Sequence, residues 1–286
     1  IFKRLVVGEG VINAALFRPR QPFGVVVGEN GHGAVIDEDL AEHVSVESPA
    51  HDEDMLADAG CEAPTTWDEL KDVAQKTTQG NVTGFAMCCL QNEEGTFNFT
   101  PWLWSTGATS YDINNDNGIK ALTLVKDLVD AGSMSKEVIN WTQGDVMNQF
   151  ISGNIAMMVN GPWQVPTMRE QAPDLNWDVT LLPKDAEYAS CLGGENFGVI
   201  DGDNVDAALD FLQFATSKDE VASYIDDFGY IAARKDVAEG QFTDDETMQK
   251  FTEEMQYAQP RGPHAQWPEI SDALSLAVNE SITGTS

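Results

Sequence analysis

Between Val146 and Trp163 the chain changes its period, and few folds accommodate that change. Val146, Met147, Phe150 and Ile151 recur at helical spacing, and Gly153 stands where a helix takes its left-handed C′ residue. Ile155 to Val159 is then a short apolar run suited to a buried strand, which Asn160, Gly161 and Pro162 break. A helix that hands over to a buried strand so quickly belongs to an α/β sheet, where ligands sit beyond the carboxyl ends of the strands. Trp163 stands at such an end. Its indole either stacks on a ligand or packs into the core, and the residues alone leave both open.

The remainder of the chain keeps the same alternation, without an internal repeat or low-complexity linker, and predicts an α/β architecture. Gly84 to Leu90 reads as a buried strand, and Gly118 to Ala131 as an amphipathic helix stopped by Gly132. Trp177 to Leu182 reads as a strand closed by Pro183, and Leu192 to Ile200 as a glycine-rich approach to another. Thr66 with Glu69, Ser217 with Glu220 and Thr243 with Glu246 have the spacing of capping boxes. They place helix starts near Trp67, Lys218 and Asp244. The last helix runs from near Pro268 to about Ser281 with one aliphatic side.

Charge limits the partners. With 47 acidic against 16 basic residues and a formal charge of −31, the chain repels nucleic acid and anionic membrane surfaces. A hydrophobic share of 42% argues against disorder, so the acidity reads as adaptation to concentrated salt and points to a halophilic archaeal origin. At molar salt the Debye length falls to about 3 Å and the carboxylates are screened from one another. Unfolding in low salt is the expected consequence. No run approaches the roughly 18–20 apolar residues of a membrane helix, and the stretch from Ile1 does not read as a signal peptide, so a soluble fragment or a mature form is expected.

Metal and catalytic patterns fail on spacing. Asp112, Asn114, Asp116 and Asn117 resemble a calcium loop, but glycine falls one place late and Thr123 stands where a bidentate glutamate is needed. A turn and helix cap is the better reading. Cys61, Cys88, Cys89 and Cys191 lack metal-ligand spacing and read as small buried hydrophobes. No Gly-x-Ser-x-Gly elbow or His-Glu-x-x-His helix occurs, and His32, His43, His51 and His264 are scattered. The piece from Gly28 to Gly33 fits no phosphate-binding loop and is assigned to a plain loop. Sequons at Asn81, Asn98, Asn140 and Asn279 permit glycosylation on an outer surface.

The stretch Phe150 to Trp163, FISGNIAMMVNGPW, resembles the helix–strand–tryptophan signature of the extracellular solute-binding proteins of sugar ABC importers, the family that includes maltose-binding protein. Asp54 to Gly60 and the following Ala63 to Leu70, APTTWDEL, resemble the family's entry into its carboxyl-terminal lobe. The resemblance implies a two-lobe, periplasmic-binding-protein-like α/β fold with hinge crossings near Val44 to Ser48, Leu192 to Phe197 and Gly229 to Arg234. By this carry-over, residues 1–46 and 195–230 form the amino-terminal lobe, and residues 47–192 and 232–286 the carboxyl-terminal lobe. Most of the family's amino-terminal stretch has no counterpart in Ile1 to His43, so that lobe is expected to be incomplete.

Sugars are gripped by aromatic faces on their apolar sides and by amides, carboxylates and guanidinium groups at their hydroxyls. Trp163 is the first stacking candidate, and Trp267 resembles the family's second. Phe97, Trp102 and Trp104 lie in FNFTPWLWSTGA, which matches an aromatic loop of the cleft; read as an extended piece, it puts the two tryptophans on one face. The resemblance places Glu47 at the first crossing and Glu195 and Asn196 at the second, facing the cleft, with Gly193 and Gly194 letting backbone approach the ligand. Asn160 is included as a ligand residue or as a brace for the Trp163 turn. Arg234 is read as bracing the hinge.

The expectation is therefore an exported, membrane-anchored, monomeric binding protein, not an enzyme. It captures a sugar or oligosaccharide and delivers it to ABC permease subunits, with no cofactor, metal or nucleic acid. Two rivals stand beside it: the same fold with a non-sugar ligand such as a polyamine, and a secreted glycoside hydrolase using two of the many carboxylates.

Overall fold

The structure, a computed structural model, describes residues 24–27, 33–36, 41–200, 203–262 and 264–285, with side chains from His43 onward except those of Asn196 and Ile200. The chain begins with strands β1 (Gly24–Val27), β2 (Gly33–Ile36), β3 (Ala41–Ser45) and β4 (Ser48–Asp52). Helices α1 (Glu53–Asp58), α2 (Trp67–Thr77), α3 (Glu93–Ser105), α4 (Asp116–Asp130) and α5 (Gln143–Ile151) follow, then β5 (Met157–Asn160), α6 (Val165–Gln171) and β6 (Trp177–Val179). After β7 (Ser190–Asn196) and β8 (Val199–Ile200) come α7 (Val205–Ala215), α8 (Lys218–Tyr224), β9 (Ile231–Ala232) and α9 (Lys235–Ala238). Last are α10 (Glu246–Glu254), β10 (Ala258–Pro260) and α11 (Trp267–Thr283).

These elements form two compact units. The larger comprises residues 46–192, 242–261 and 268–286. At its centre β4 pairs antiparallel with β5 on one side and with β6 on the other. All five residues of β4 are buried, so a strand of both polar and apolar residues is enclosed by helices. Leu70, Phe85, Phe99, Trp102, Phe150 and Ile155 are among the side chains that pack this core. Removing so many large apolar groups from water is the main term that holds the unit together.

Local signals place its helices. The Thr66 hydroxyl accepts from the Glu69 amide while the Glu69 carboxylate accepts from Thr66, so α2 starts on the expected capping box. A second box, Thr142 with Asp145, starts α5. That helix ends before Gly153, whose φ of +71° is the left-handed conformation glycine adopts most readily. Asn115, in the stretch tested as a calcium loop, caps α4 by accepting from the amides of Asn117 and Gly118.

Four expectations are corrected. The segment of Phe97 to Trp104 is helix α3, not an extended piece. Gly84 to Leu90 forms no named strand; it runs extended beside β5, bridged from Thr83 to Ile155 and from Ala86 to Met158. Thr243 does not cap α10, because Asp245 accepts from the Met248 amide instead and is itself held by Arg169 at 2.7 and 2.8 Å. Ser217 makes no side-chain cap bond, and α8 gives way to a 3-10 turn at Asp226–Phe228.

The smaller unit comprises the described residues of 1–45, 193–241 and 262–267. Here β1, β2 and β8 make an antiparallel sheet in that order, and β3 pairs antiparallel with Gly193 to Asn196 of β7 and with β9. Val221, Ile225, Ala232 and Val237 form one core cluster, with Tyr230 and Ala238 against it. Val237 and Ala238, assigned by sequence to the second lobe, therefore pack in this unit. Residues 1–23 and 28–32, which hold most of the glycine-rich piece read from sequence as a loop, lie outside the described residues.

Candidate functional site

The larger unit brings four of the sequence candidates together. At the end of β5, Gly161 is extended (φ −110°, ψ 171°), and the chain enters a 3-10 turn at Pro162–Gln164 that carries Trp163. The indole lies against the Gly161 backbone so closely that a Cβ there would fall 2.0 Å from Cζ3 of the ring. Trp163 remains half-buried. Phe97, from α3, faces it with ring centroids 6.4 Å apart and planes inclined by 35°. On Phe97 sits the Arg261 guanidinium, 4.7 Å from the ring centroid. A cation held over an aromatic face is stabilised by the ring quadrupole. Glu93 pairs with Arg261, and the Tyr111 hydroxyl donates to the Arg261 carbonyl at 3.0 Å.

Beneath this surface runs a polar network. Glu47 is fully buried, and one of its carboxyl oxygens accepts from both Asn98 and Gln143 while the other has no partner among the described residues. Gln143 is fixed in turn: its amide donates to Glu94 at 2.6 Å and its carbonyl accepts from Asn160 at 2.8 Å. Asn160 also accepts from the Gly161 amide at 3.1 Å, which ties the network to the Trp163 turn. Burial pushes the Glu47 pKa up to about 8, against the opposing pull of its Gln143 bond and the Arg261 charge. At neutral pH it is a carboxylic acid. The sequence placed Glu47 facing a cleft; in the structure it supports Gln143 and Asn98 from below.

Trp102 and Trp104 do not join this group. Adjacent helix residues are about 100° apart, so the two indoles point to different sides of α3. Trp102 is 2% exposed, among Phe85 and Trp67, and is core. Trp104 is buried as well, donating from Nε1 to the Ser110 hydroxyl at 3.0 Å.

The other candidates belong to the smaller unit. Gly194 has φ +140°, and a Cβ there would meet the His43 carbonyl oxygen at 2.3 Å, so strand pairing accounts for its glycine without a ligand. Glu195 meets His43 Nε2 at 2.7 Å, and the His43 ring stacks on Tyr230 at 3.7 Å. The Asn196 side chain is outside the described residues. Trp267 opens α11, half-buried. Arg234 braces its own unit, bidentate on Asp236 and donating to the Thr216 carbonyl at 3.3 Å.

A half-open aromatic pair beside fixed amides and a buried acid is the kind of surface suited to non-covalent recognition. The chain belongs to the family described as bacterial extracellular solute-binding protein, which it matches over residues 24–250. Curated relatives described as binding proteins, from Brucella abortus and Brucella suis, are 24% identical over 274 residues. The match takes in 92% of this chain and 63% of theirs, so the chain spans less than two thirds of their length.

Among solved structures, an ABC transporter solute-binding protein of Thermotoga lettingae bound to α-D-tagatose is 26% identical, with a TM-score of 0.78 over 86% of this chain and 67% of that one. Maltose-bound MalE3 of T. maritima gives 24% and 0.79, over 86% and 68%. The fold is thus that of the two-lobed, maltose-binding-protein-like receptors. The family and these relatives are binding proteins.

Proposed function

We propose that this chain is the extracytoplasmic carbohydrate-binding component of an ABC importer. The observation that carries the reading is the Trp163 indole, half-open, backed by the Gly161 main chain that Asn160 holds, and beside Phe97. Such a ring offers a flat apolar face to a pyranose, and the buried amides hold the turn that carries it. The tagatose and maltose bound by the two structural relatives support the same ligand class.

In this proposal the sugar is held between two lobes, with Trp267 as the second stacking ring and Glu195 and Asn196 as polar contacts. Binding free energy available only when both lobes touch the ligand then favours the closed form, which is handed to the permease subunits. The protein acts as an exported, membrane-anchored monomer. No helix of the described residues is long and apolar enough to cross a membrane, so the proposed anchor lies outside them.

Titration calorimetry in concentrated salt with a saccharide panel headed by D-tagatose and maltose tests the reading. Trp163→Ala is expected to weaken binding by about 1.5–3 kcal/mol, roughly ten- to hundredfold in Kd, with the unfolding midpoint nearly unchanged. Equal affinities for the variant and the parent protein reject the role of the indole.

A further inference from the structure

Four Asn-x-Ser/Thr triplets occur, at Asn81, Asn98, Asn140 and Asn279, and the structure separates them. N-linked transfer needs a free asparagine carboxamide and a free hydroxyl two residues on, in a segment outside regular structure. Asn98 lies in the middle of α3 without exposure; its Nδ2 donates to Glu47 and its Oδ1 accepts from the Cys88 amide at 2.9 Å. Asn279 lies in α11, donating to the carbonyls of Cys89 at 2.7 Å and Ser275 at 3.0 Å, while the Ser281 hydroxyl donates to Val278. Asn140 is exposed, but it donates to Glu137 at 3.2 Å. The hydroxyl its triplet needs, on Thr142, is committed to the α5 capping box, bonded to the Asp145 carboxylate at 2.7 Å and amide at 3.0 Å.

Asn81 differs in its carboxamide and its partner hydroxyl, although the Thr83 main chain is bridged to Ile155. It is exposed in a two-residue turn closed by Gln79 N to Val82 O at 3.1 Å and Val82 N to Gln79 O at 2.9 Å. Gly80, at φ +60°, takes the left-handed position of that turn. Among the described residues neither the Asn81 carboxamide nor the Thr83 hydroxyl has a hydrogen-bond partner. Nor is the turn part of the Glu47–Trp163 set, so a bulky group there leaves the proposed site untouched.

We propose that Asn81 is a site of N-linked glycosylation, the one triplet of the four that the folded chain leaves open to it. The inference rests on the export proposed above. The donor, by class, is an oligosaccharide on a polyprenyl phosphate or diphosphate carrier. Asn81 Nδ2 attacks the anomeric carbon, the C–N bond forms as the C–O bond to phosphate breaks, the carrier phosphate leaves with the electron pair, and the carboxamide proton passes to a base of the transferase.

The test uses protein purified from the extracellular fraction of an exporting host that carries an oligosaccharyltransferase. Glycosidase release in heavy-oxygen water, followed by peptide mapping, is expected to label Asn81 alone. Asn81→Gln and, separately, Thr83→Ala are each expected to abolish the whole glycan mass while unfolding midpoint and saccharide affinity hold. An unlabelled Asn81 in the folded, secreted protein, or label at Asn98, Asn140 or Asn279, overturns the proposal. Comparing the export of the two variants with the glycan carrier supplied or withheld separates loss of the acceptor from loss of export.

Discussion

Raising the pH from about 6 to about 9 at fixed salt is expected to destabilise the protein by roughly 4–6 kcal/mol, through two buried carboxyl groups. Glu47 and Glu254 are both fully buried, and burial lifts each from an ordinary value of 4.5 to about 8; for Glu254 the Leu182 amide, donating at 3.0 Å, opposes the lift. A carboxyl group whose folded pKa exceeds its unfolded one holds a proton that the unfolded chain has already released. Its contribution is therefore favourable at low pH and lost progressively as the pH rises from about 4.5 to about 8.

The carboxylates with lowered pKa stay silent over that window. Asp245, held low by Arg169, Asp145, held low by Thr142, and Glu69, held low by Thr65, give stability present above about pH 4 and lost below it. Burial keeps His51 neutral, so stability rises as the unfolded imidazole loses its proton near 6.5, and it pushes the thiols of Cys88, Cys89 and Cys191 up, so stability falls as the unfolded thiols ionise towards 9.0; the two trends oppose each other. Glu254→Gln, which lies outside the proposed site, should remove about half of the pH dependence. Denaturant midpoints at the two pH values check it, and parallel pH slopes for variant and parent contradict it.

How much of this was legible in the sequence depended on how far apart the deciding residues lie. The Thr66–Glu69 box and the Gly153 terminus were readable because each is settled within one helical turn. Helix α3 was not, since EEGTFNFTPWLWS is apolar on every side and contains Pro101. A helix enclosed all round has no polar face to set a 3.6-residue period, and proline usually argues against a helix interior. The α10 cap was misplaced for a tertiary reason: Asp245 is fixed by Arg169, 76 residues away.

Separating Trp102 from Trp163 likewise required knowing that Phe85 and Trp67 close over the former while Gly161 supports the latter. Glu47 was singled out through the family resemblance as a cleft residue, and its burial could not be read because its partners Asn98 and Gln143 lie 51 and 96 residues off. Arg261 had no local signal at all, because its role comes from Phe97 and Glu93 in a distant helix.

Gly161→Ala is expected to damage the proposed site more selectively than its mild chemistry implies. The backbone at Gly161 is in the extended region that alanine adopts freely, so strain in φ and ψ is not the obstacle. The obstacle is the indole: the new Cβ would lie 2.0, 2.1 and 2.4 Å from Cζ3, Cη2 and Cε3 of Trp163. No rotamer adjustment of a methyl group relieves such overlap, so the ring must swing away from the main chain and from Phe97. Overpacking of this kind costs about 1–3 kcal/mol in stability. Saccharide affinity should fall by at least the ten- to hundredfold expected on removing the ring, since a displaced indole both ceases to stack and stands in the ligand's way.

The double variant decides the cause. In a protein already carrying Trp163→Ala, the added Gly161→Ala has no ring to collide with, and its effects on stability and on Kd should nearly vanish. Coupling of that sign ties glycine and tryptophan into one element of the proposed site, whereas additive losses would mean that Gly161 acts through the main chain alone and that the proposed aromatic shelf is built some other way.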